Sequence, residues 1–263
     1  PDGYNTRQPI NSHGITHVHH FYTMRANWEL GALWERFLSK ESRELRALRL
    51  ALTAASPYAS KLRRFRAGKK GGGPLPGTLY IASLITPPNV LMTVERNAAF
   101  ILKGFKSAQS LKDCSVQSCQ SNDGYESLLE NSLDYIFIDP PFGANLNYSE
   151  LNFLWESWLK VWTNNKTEAI ENSVQGKGAS EYRHLMAACF KEAYRVLKPG
   201  RWMTVEFSNT KAAVWNSIQT ALTEAGFIVA NVSALDKKQG SFKAVTTPTA
   251  VKQDLVISAY KPN

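Results

Sequence analysis

The second half of the chain alternates short apolar runs with segments of helical periodicity, and this alternation restricts the fold more than any other feature. From Val116 onward, strand-like and helix-like stretches follow one another, which predicts a layered α/β sheet. Residues 135–138, Tyr-Ile-Phe-Ile, form a wholly apolar run. Such a run predicts a central parallel strand that is covered on both faces and ends at Asp139.

The elements after this strand follow from periodicity and from breaking residues. Apolar residues recur on one helical face over 181–197, and Lys198-Pro199-Gly200 is expected to end that helix. The remaining pattern predicts a strand over 202–207, a helix over 212–225, and two closing strands over 227–232 and 255–260.

The first part of the chain has a different pattern. Residues 23–66 are predicted to be mostly helical, with Thr23 as the N-terminal cap and apolar residues at helical spacing. The run Gly71-Gly72-Gly73-Pro74 begins the best linker candidate. We therefore predict a mostly helical, basic N-terminal region over 1–78 and a second region over 79–263.

A hairpin is expected at the start of the second region. Two strand-like stretches, 79–84 and 90–94, flank the turn sequence Thr86-Pro87-Pro88-Asn89. Prolines and asparagine are typical of such turns.

The charge of the chain suggests a polyanionic partner. The net charge is +9 at pH 7 and the pI is about 9.4, and clustered Lys and Arg gain free energy by releasing counterions from a phosphate backbone. The densest basic cluster ends in Lys69 and Lys70, and a later loop contains Lys237 and Lys238. We interpret both as contacts to DNA, with solvated loops as equal alternatives.

Several classes of protein are disfavoured. No stretch approaches the ~20 uninterrupted apolar residues of a membrane span, and residues 1–14 lack the pattern of a signal peptide. Three cysteines are an odd number, which favours reduced thiols. We therefore expect a cytoplasmic protein with no membrane partner. A zinc site at Cys114 and Cys119 is disfavoured because no second ligand pair is apparent.

The sequence Asp139-Pro140-Pro141-Phe142 carries the predicted chemistry. In an open α/β sheet, ligands bind beyond the carboxyl ends of the strands, which is where this motif is predicted to lie. Prolines stiffen the turn and bias the preceding residue toward extended backbone. The Asp139 carboxylate and the Pro140 carbonyl are therefore predicted to form a rigid pair of hydrogen-bond acceptors.

Such a pair suits the exocyclic amine of a nucleobase, because the lone pair of that amine is delocalised into the ring. Acceptors for both amine protons let the nitrogen become tetrahedral and attack a sulfonium methyl group, while Phe142 stacks on the base. A base that is stacked in a duplex must first be flipped out. Asn145 and Tyr148 follow among small and polar residues and are candidates for contacting the base. The alternative is that the motif is only a turn after a buried strand.

Other polar residues are weaker candidates. Asn122 and Asp123 follow a strand-like segment and are candidates for the ligand site, with a simple turn as an equal alternative. Glu206 and Asn209 come at the end of the next strand and are expected to line the same crevice.

Two aromatic patterns are interpreted as structural. The cluster His17, His19 and His20 has no acidic or cysteine companions, so packing or phosphate contact is favoured and no metal site is predicted. The tryptophans at 155, 158 and 162 are spaced three and four residues apart, which predicts core packing on a helix rather than a platform for stacking bases.

The motif and its surroundings resemble a known family. Residues 131–161, 194–207 and 237–262 are similar to the bacterial DNA methylases of the amino-methylating type, whose motif is Asp, Asn or Ser followed by Pro-Pro and an aromatic residue. The resemblance implies a Rossmann-like sheet, S-adenosylmethionine as the cofactor and DNA as the partner. On this interpretation, residues 79–263 form the methyltransferase catalytic region and the basic region over 1–78 is a subdomain that contacts DNA. The resemblance also implies that Asp139 and Phe142 bind the target amine and base. By the same resemblance, Asn122 and Asp123 lie beside the cofactor adenine or the target base, and Asp139 also contacts the cofactor.

One feature of that family is missing. The family holds the methionine part of the cofactor with a Gly-rich loop near Asp-Pro-Phe-x-Gly-Ser-Gly, which does not occur here. We therefore expect an incomplete sheet in a C-terminal fragment, whose partner is a missing N-terminal segment of the same protein or a restriction or defence component. Two other hypotheses stay open, a guanine amino-methyltransferase acting on RNA and a truncated DNA-binding remnant without activity.

Overall fold

A computed structural model describes residues 3–39, 41–68, 72–86, 89–108, 128–208, 212–236 and 253–263. The chain divides into two compact units. The first unit comprises Pro1–Val116 and Asn147–Asn165, and the second comprises Gln117–Leu146 and Lys166–Asn263. The predicted functional division at residue 78 remains a prediction.

The described residues of the first unit form mainly helices. These are α1 (Tyr4–His13), α2 (Met24–Leu38), α3 (Arg43–Ala55), α4 (Val90–Ala108) and α5 (Tyr148–Leu159), with a 3-10 turn over Val18–Phe21.

Side-chain caps decide where two of these helices begin. The Thr23 hydroxyl accepts a hydrogen bond from the backbone N–H of Ala26 at 3.2 Å, so the predicted cap is confirmed. Ser42 caps α3 in the same way, accepting from the N–H of Leu45. The helical region predicted over 23–66 is therefore two helices, and it ends earlier than expected because α3 ends at Ala55.

The predicted hairpin over 79–94 is wrong. Residues 79–84 form no strand, and Val90 begins a 19-residue helix, α4. Asn89 explains the difference, because its side-chain oxygen accepts the N–H of Met92 at 3.0 Å and so acts as a helix cap. Val90 and Val94, four residues apart, are buried against the core of the unit, which is helical rather than strand periodicity.

The first unit is organised around an apolar core that α5 completes. Leu30, Leu52 and Leu154 are almost fully buried there. Trp155 and Trp158 pack against this core, as predicted. Trp162 does not, because α5 ends at Leu159 and leaves the Trp162 side chain 62% exposed.

The second unit is a mixed α/β structure, which confirms the predicted fold class. Its strands are β1 (Leu133–Ile138), β2 (Leu197–Phe207), β3 (Ile228–Asp236) and β4 (Gln253–Tyr260), and its helices are α6 (Ala179–Val196) and α7 (Ala212–Glu224). The described strands form one sheet in the order β1-β2-β4-β3. β1 is parallel to β2, and β4 is antiparallel to both β2 and β3.

Helices α6 and α7 cover one face of this sheet. Alternate residues of β2, namely Met203, Val205 and Phe207, are fully buried and pack in one cluster with Phe190 of α6 and Ile218 of α7. The helices and closing strands predicted from periodicity in this region are confirmed to within a few residues at each boundary. The strand predicted over 202–207 is also present, but β2 begins earlier, at Leu197, and so includes Lys198-Pro199-Gly200.

The prediction that β1 is covered on both faces is wrong for the described part of the chain. Ile136 and Ile138 pack against the core, whereas Tyr135 and Phe137 point to the other face and are 55% and 58% exposed. The reason is that β1 lies at an edge of the described sheet and that the helices of the described core lie on one face.

Candidate active site

Asp139 lies at the carboxyl end of β1. The parallel register pairs Ile138 of β1 with Val205 of β2, so Asp139 and the last residues of β2 lie at the same edge of the sheet. This is the edge at which open α/β sheets bind ligands. The Asp139 side chain is exposed, so the carboxylate is accessible to a substrate.

The residues after Asp139 form a tightly held corner. Pro140 is buried, and the Pro141 carbonyl accepts a hydrogen bond of 2.7 Å from the hydroxyl of Tyr182 on α6. Gly143 follows with φ of 63°, a left-handed conformation that favours glycine. The Gly143 carbonyl accepts from the N–H of Glu171 at 3.1 Å. The corner is therefore anchored both to helix α6 and to the loop that precedes α6.

The aromatic residue of the motif contacts the core edge-on. The Phe142 ring meets the ring of Phe207 at a centroid distance of 5.2 Å and an interplanar angle of 82°. Phe207 is fully buried, whereas Phe142 is half-buried. Such an edge-to-face pair fixes the Phe142 ring at the sheet edge. Its predicted stacking on a base stays a prediction.

Glu206 provides a second carboxylate at this edge. It is half-buried near the end of β2, where it pairs with Val256 of β4. Its predicted position at the end of the strand after Asp139 is thereby confirmed. Asn209, the other candidate there, lies outside the described residues.

A second aspartate of β1 has a different environment. The Asp134 carboxylate lies at the amino-terminal end of the strand, where the Lys198 ammonium donates a hydrogen bond to it at 2.8 Å. Arg201 lies 3.7 Å from the same oxygen. The hydrogen bond from Lys198, the charge of Lys198 and the charge of Arg201 hold the pKa of Asp134 below its usual value. Asp134 is thus engaged in surface ion pairs.

The remaining predicted contacts are distributed over the chain. Asn145 is exposed in the second unit, and its backbone N–H donates to the Phe142 carbonyl at 3.3 Å. Tyr148 is the first residue of α5 and belongs to the first unit. Six candidates lie outside the described residues: Lys69, Lys70, Asn122, Asp123, Lys237 and Lys238.

Sequence reasoning missed the role of Tyr182. Periodicity placed it only on the buried face of α6, and the structure confirms that it is fully buried. The available signal was its hydroxyl, because a buried tyrosine needs a hydrogen-bond partner. The hydrogen bond from Glu171 could not be found from sequence, because its donor is a backbone N–H.

Two further features of the described residues bear on function. They include no group of three or more His, Cys, Asp or Glu side chains arranged to hold a metal ion. None of their helices combines the length and apolar character needed to cross a membrane.

Comparison with known proteins gives structural likenesses only. No family model matches the chain, and no curated protein matches it. It is similar to TTHA0409 of Thermus thermophilus, a provisionally assigned DNA modification methylase, with 14% identity over 55% of this chain and 51% of that one, and a TM-score of 0.35. TTHA0409 complexed with S-adenosyl-L-methionine gives a TM-score of 0.33 at 14% identity, over 55% and 52% of the two chains. A SAM-dependent methyltransferase of Methanosarcina mazei matches with 12% identity over 63% and 77% of the two chains and a TM-score of 0.31.

The aligned region thus spans about half the length of TTHA0409.

Proposed function

We propose that this chain is the catalytic region of an S-adenosylmethionine-dependent methyltransferase that modifies an exocyclic amine in DNA, of adenine or else of cytosine. The observation that carries the proposal is the exposed Asp139 carboxylate at the carboxyl end of β1, in a corner that Tyr182 anchors. The net charge of +9 supports a polyanionic substrate.

The chemistry of the corner fits an amine that must donate two hydrogen bonds. The Asp139 carboxylate accepts a hydrogen bond from one N–H of the amine. The Pro141 carbonyl is already bonded to Tyr182, so we assign the second acceptor to the Pro140 carbonyl. Two acceptors in fixed positions draw the nitrogen lone pair out of the ring, and fixed dipoles of this kind stabilise charge that develops in a transition state.

S-adenosylmethionine supplies an electrophilic methyl group when it is bound. Bound there, the cofactor would give up this methyl group to the amine nitrogen, and the electron pair of the carbon–sulfur bond would stay on sulfur. The amine would then lose one proton to solvent, with Asp139 orienting and polarising the amine rather than acting as a strong base. The described residues fit the amine end of this site. The proposed cofactor contacts Asn122 and Asp123 lie outside them.

We also propose that the loop holding the methionine part comes from another polypeptide segment, because the expected Gly-rich sequence does not occur among the 263 residues. Calorimetry with S-adenosylmethionine on this chain should therefore detect weak binding or none. If this chain binds S-adenosylmethionine as tightly as the longest polypeptide that its gene encodes, this part of the proposal is contradicted.

The main test measures transfer of labelled methyl groups to unmethylated bacterial DNA and to RNA, using both this chain and the longest polypeptide of its gene. We expect label in the amine of a DNA base. Label found only in RNA would establish the guanine amino-methyltransferase alternative. Label in neither nucleic acid, from either polypeptide, would leave the non-catalytic DNA-binding remnant.

Asp139→Ala tests the assigned residue. We expect transfer to fall at least about a hundredfold, as when a group that stabilises the transition state is removed, with DNA affinity largely unchanged. Asp134→Ala is the matched control, because it removes a carboxylate from the other end of the same strand. Equal activity of the two variants would contradict the role of Asp139.

A further inference from the structure

The first unit contains a cavity of about 290 Å³. Its size is near the lower end of the ~300–1,000 Å³ that small-molecule sites typically have. Phe21, Phe153 and Trp162 contribute aromatic walls, and Thr16 and His17 contribute polar groups. Aromatic walls of this kind suit a flat ring system, because the ring faces can stack.

His17 also belongs to a cluster of three imidazoles. Its ring centroid lies 5.4 Å from that of His19 and 5.3 Å from that of His20, and the last two rings are 4.3 Å apart. The 3-10 turn brings them together, since the N–H of His20 bonds to the carbonyl of His17 at 3.0 Å. The Thr16 hydroxyl lies 2.9 Å from Nδ1 of His17.

The surroundings of the cluster favour an anion over a metal ion. The Lys61 ammonium donates to the His20 carbonyl at 2.7 Å, which places a positive charge beside the rings. The described His, Cys, Asp and Glu side chains include no group arranged as a metal site. Burial, followed by the neighbouring His19, His17 and Lys61, lowers the pKa of His20. A bound anion would oppose the repulsion that lowers the pKa of His20 and so favour the protonated, donating form of that imidazole.

We propose that the cavity and the imidazole cluster together bind a nucleotide, with the base against the aromatic walls and the phosphate against His17, His19 and His20. His17 joins the two parts because it both lines the cavity and belongs to the cluster. The shared chemistry is a nucleoside monophosphate, either free or as part of a polynucleotide strand. The site lies wholly in the first unit and is independent of the Asp139 corner.

Calorimetry on the full chain tests the site with adenosine monophosphate, adenosine, inorganic phosphate and a short single-stranded oligodeoxynucleotide. We expect the monophosphate to bind about tenfold more tightly than adenosine or phosphate. Its affinity should be higher at about pH 6 than at about pH 8, because protonated imidazoles are the better donors. If the oligonucleotide binds, the natural ligand is part of a polynucleotide strand. If the monophosphate binds and the oligonucleotide does not, the natural ligand is a free nucleotide. Either result supports the proposal.

Variants separate the two parts of the site. His17→Ala should weaken monophosphate binding about tenfold. Trp162→Ala should weaken the binding of both adenosine and the monophosphate, whereas Trp162→Phe should leave both affinities unchanged. His13→Ala, an exposed histidine of α1 outside the cluster, is the matched control. Equal affinity for adenosine and the monophosphate, unchanged binding by His17→Ala, or binding that requires added zinc would overturn the proposal. A failure here leaves the methyl-transfer assay unaffected.

Discussion

Tyr182→Phe removes one oxygen atom from the support of the Asp139 corner. The substitution keeps the ring and creates no large cavity, so the change isolates the 2.7 Å hydrogen bond to the Pro141 carbonyl. Tyr182 is fully buried, whereas Pro141 is half-buried, so solvent can partly replace the lost donor. We therefore expect the free energy of unfolding of the second unit to fall by about 1 kcal/mol, the usual net value for a neutral hydrogen bond.

Amide hydrogen exchange with increasing urea measures this change in the second unit alone. Faster exchange is expected at Gly143 and Asn145, next to the released carbonyl. In the methyl-transfer assay, kcat should fall about tenfold, because the two acceptors that position the amine are held less firmly. KM for DNA should stay unchanged. A purely structural role would lower stability without this selective loss of kcat.

Tyr194→Phe is the matched control, because it removes the same atom from the same helix. The Tyr194 ring contacts with Phe227 and Lys261 can persist in phenylalanine. If both variants show the same stability, exchange rates and kcat, Tyr182 does not position the corner.

Three further predictions concern local interactions. Thr23→Ala should destabilise the first unit by about 1 kcal/mol in urea unfolding, with Thr23→Ser close to wild type, because the hydroxyl caps α2; no change would show that the cap is not needed. Glu150→Ala should speed hydrogen exchange in α1, since the buried Glu150 carboxylate accepts the N–H of Asn5 at 2.7 Å; unchanged exchange would contradict this anchoring. Because the pKa of Asp134 is lowered from its ordinary value of 3.8, its ion pair stabilises the fold above that pH and loses this effect as pH falls through the folded-state pKa. Wild type should therefore be more stable than Lys198→Met at about pH 6 but not at about pH 2. The same difference in stability at both pH values would refute the pairing.

Much of the second unit could be predicted from the sequence, because its elements depend on local patterns. Helix α6 has a full apolar face and ends at Val196, just before Lys198-Pro199-Gly200, and such signals act within a few residues. The position of Asp139 at the end of a parallel strand followed from the same local reasoning and is confirmed.

Local patterns did not distinguish helix from strand in a short segment, and they did not show which faces of a strand are packed against other elements. Val90–Val94 suits a strand by composition, yet Asn89 and the buried spacing of Val90 and Val94 make it the start of α4. The sequence of β1 gave no indication that Tyr135 and Phe137 would be exposed in the described sheet. Exposure depends on what packs on each face, which no single strand encodes.

The sequence by itself determined a basic chain, an α/β second unit and a proline-stiffened corner after an apolar strand. Only the tertiary structure brought Tyr182 to Pro141, forty-one residues apart in the chain, and Glu150 to Asn5, which are 145 residues apart. It also assigned Asn147–Asn165 to the first unit, although the Asp139 corner belongs to the second. These contacts form because burying apolar surface and pairing buried polar groups are properties of the whole folded chain, which periodicity within one segment does not record.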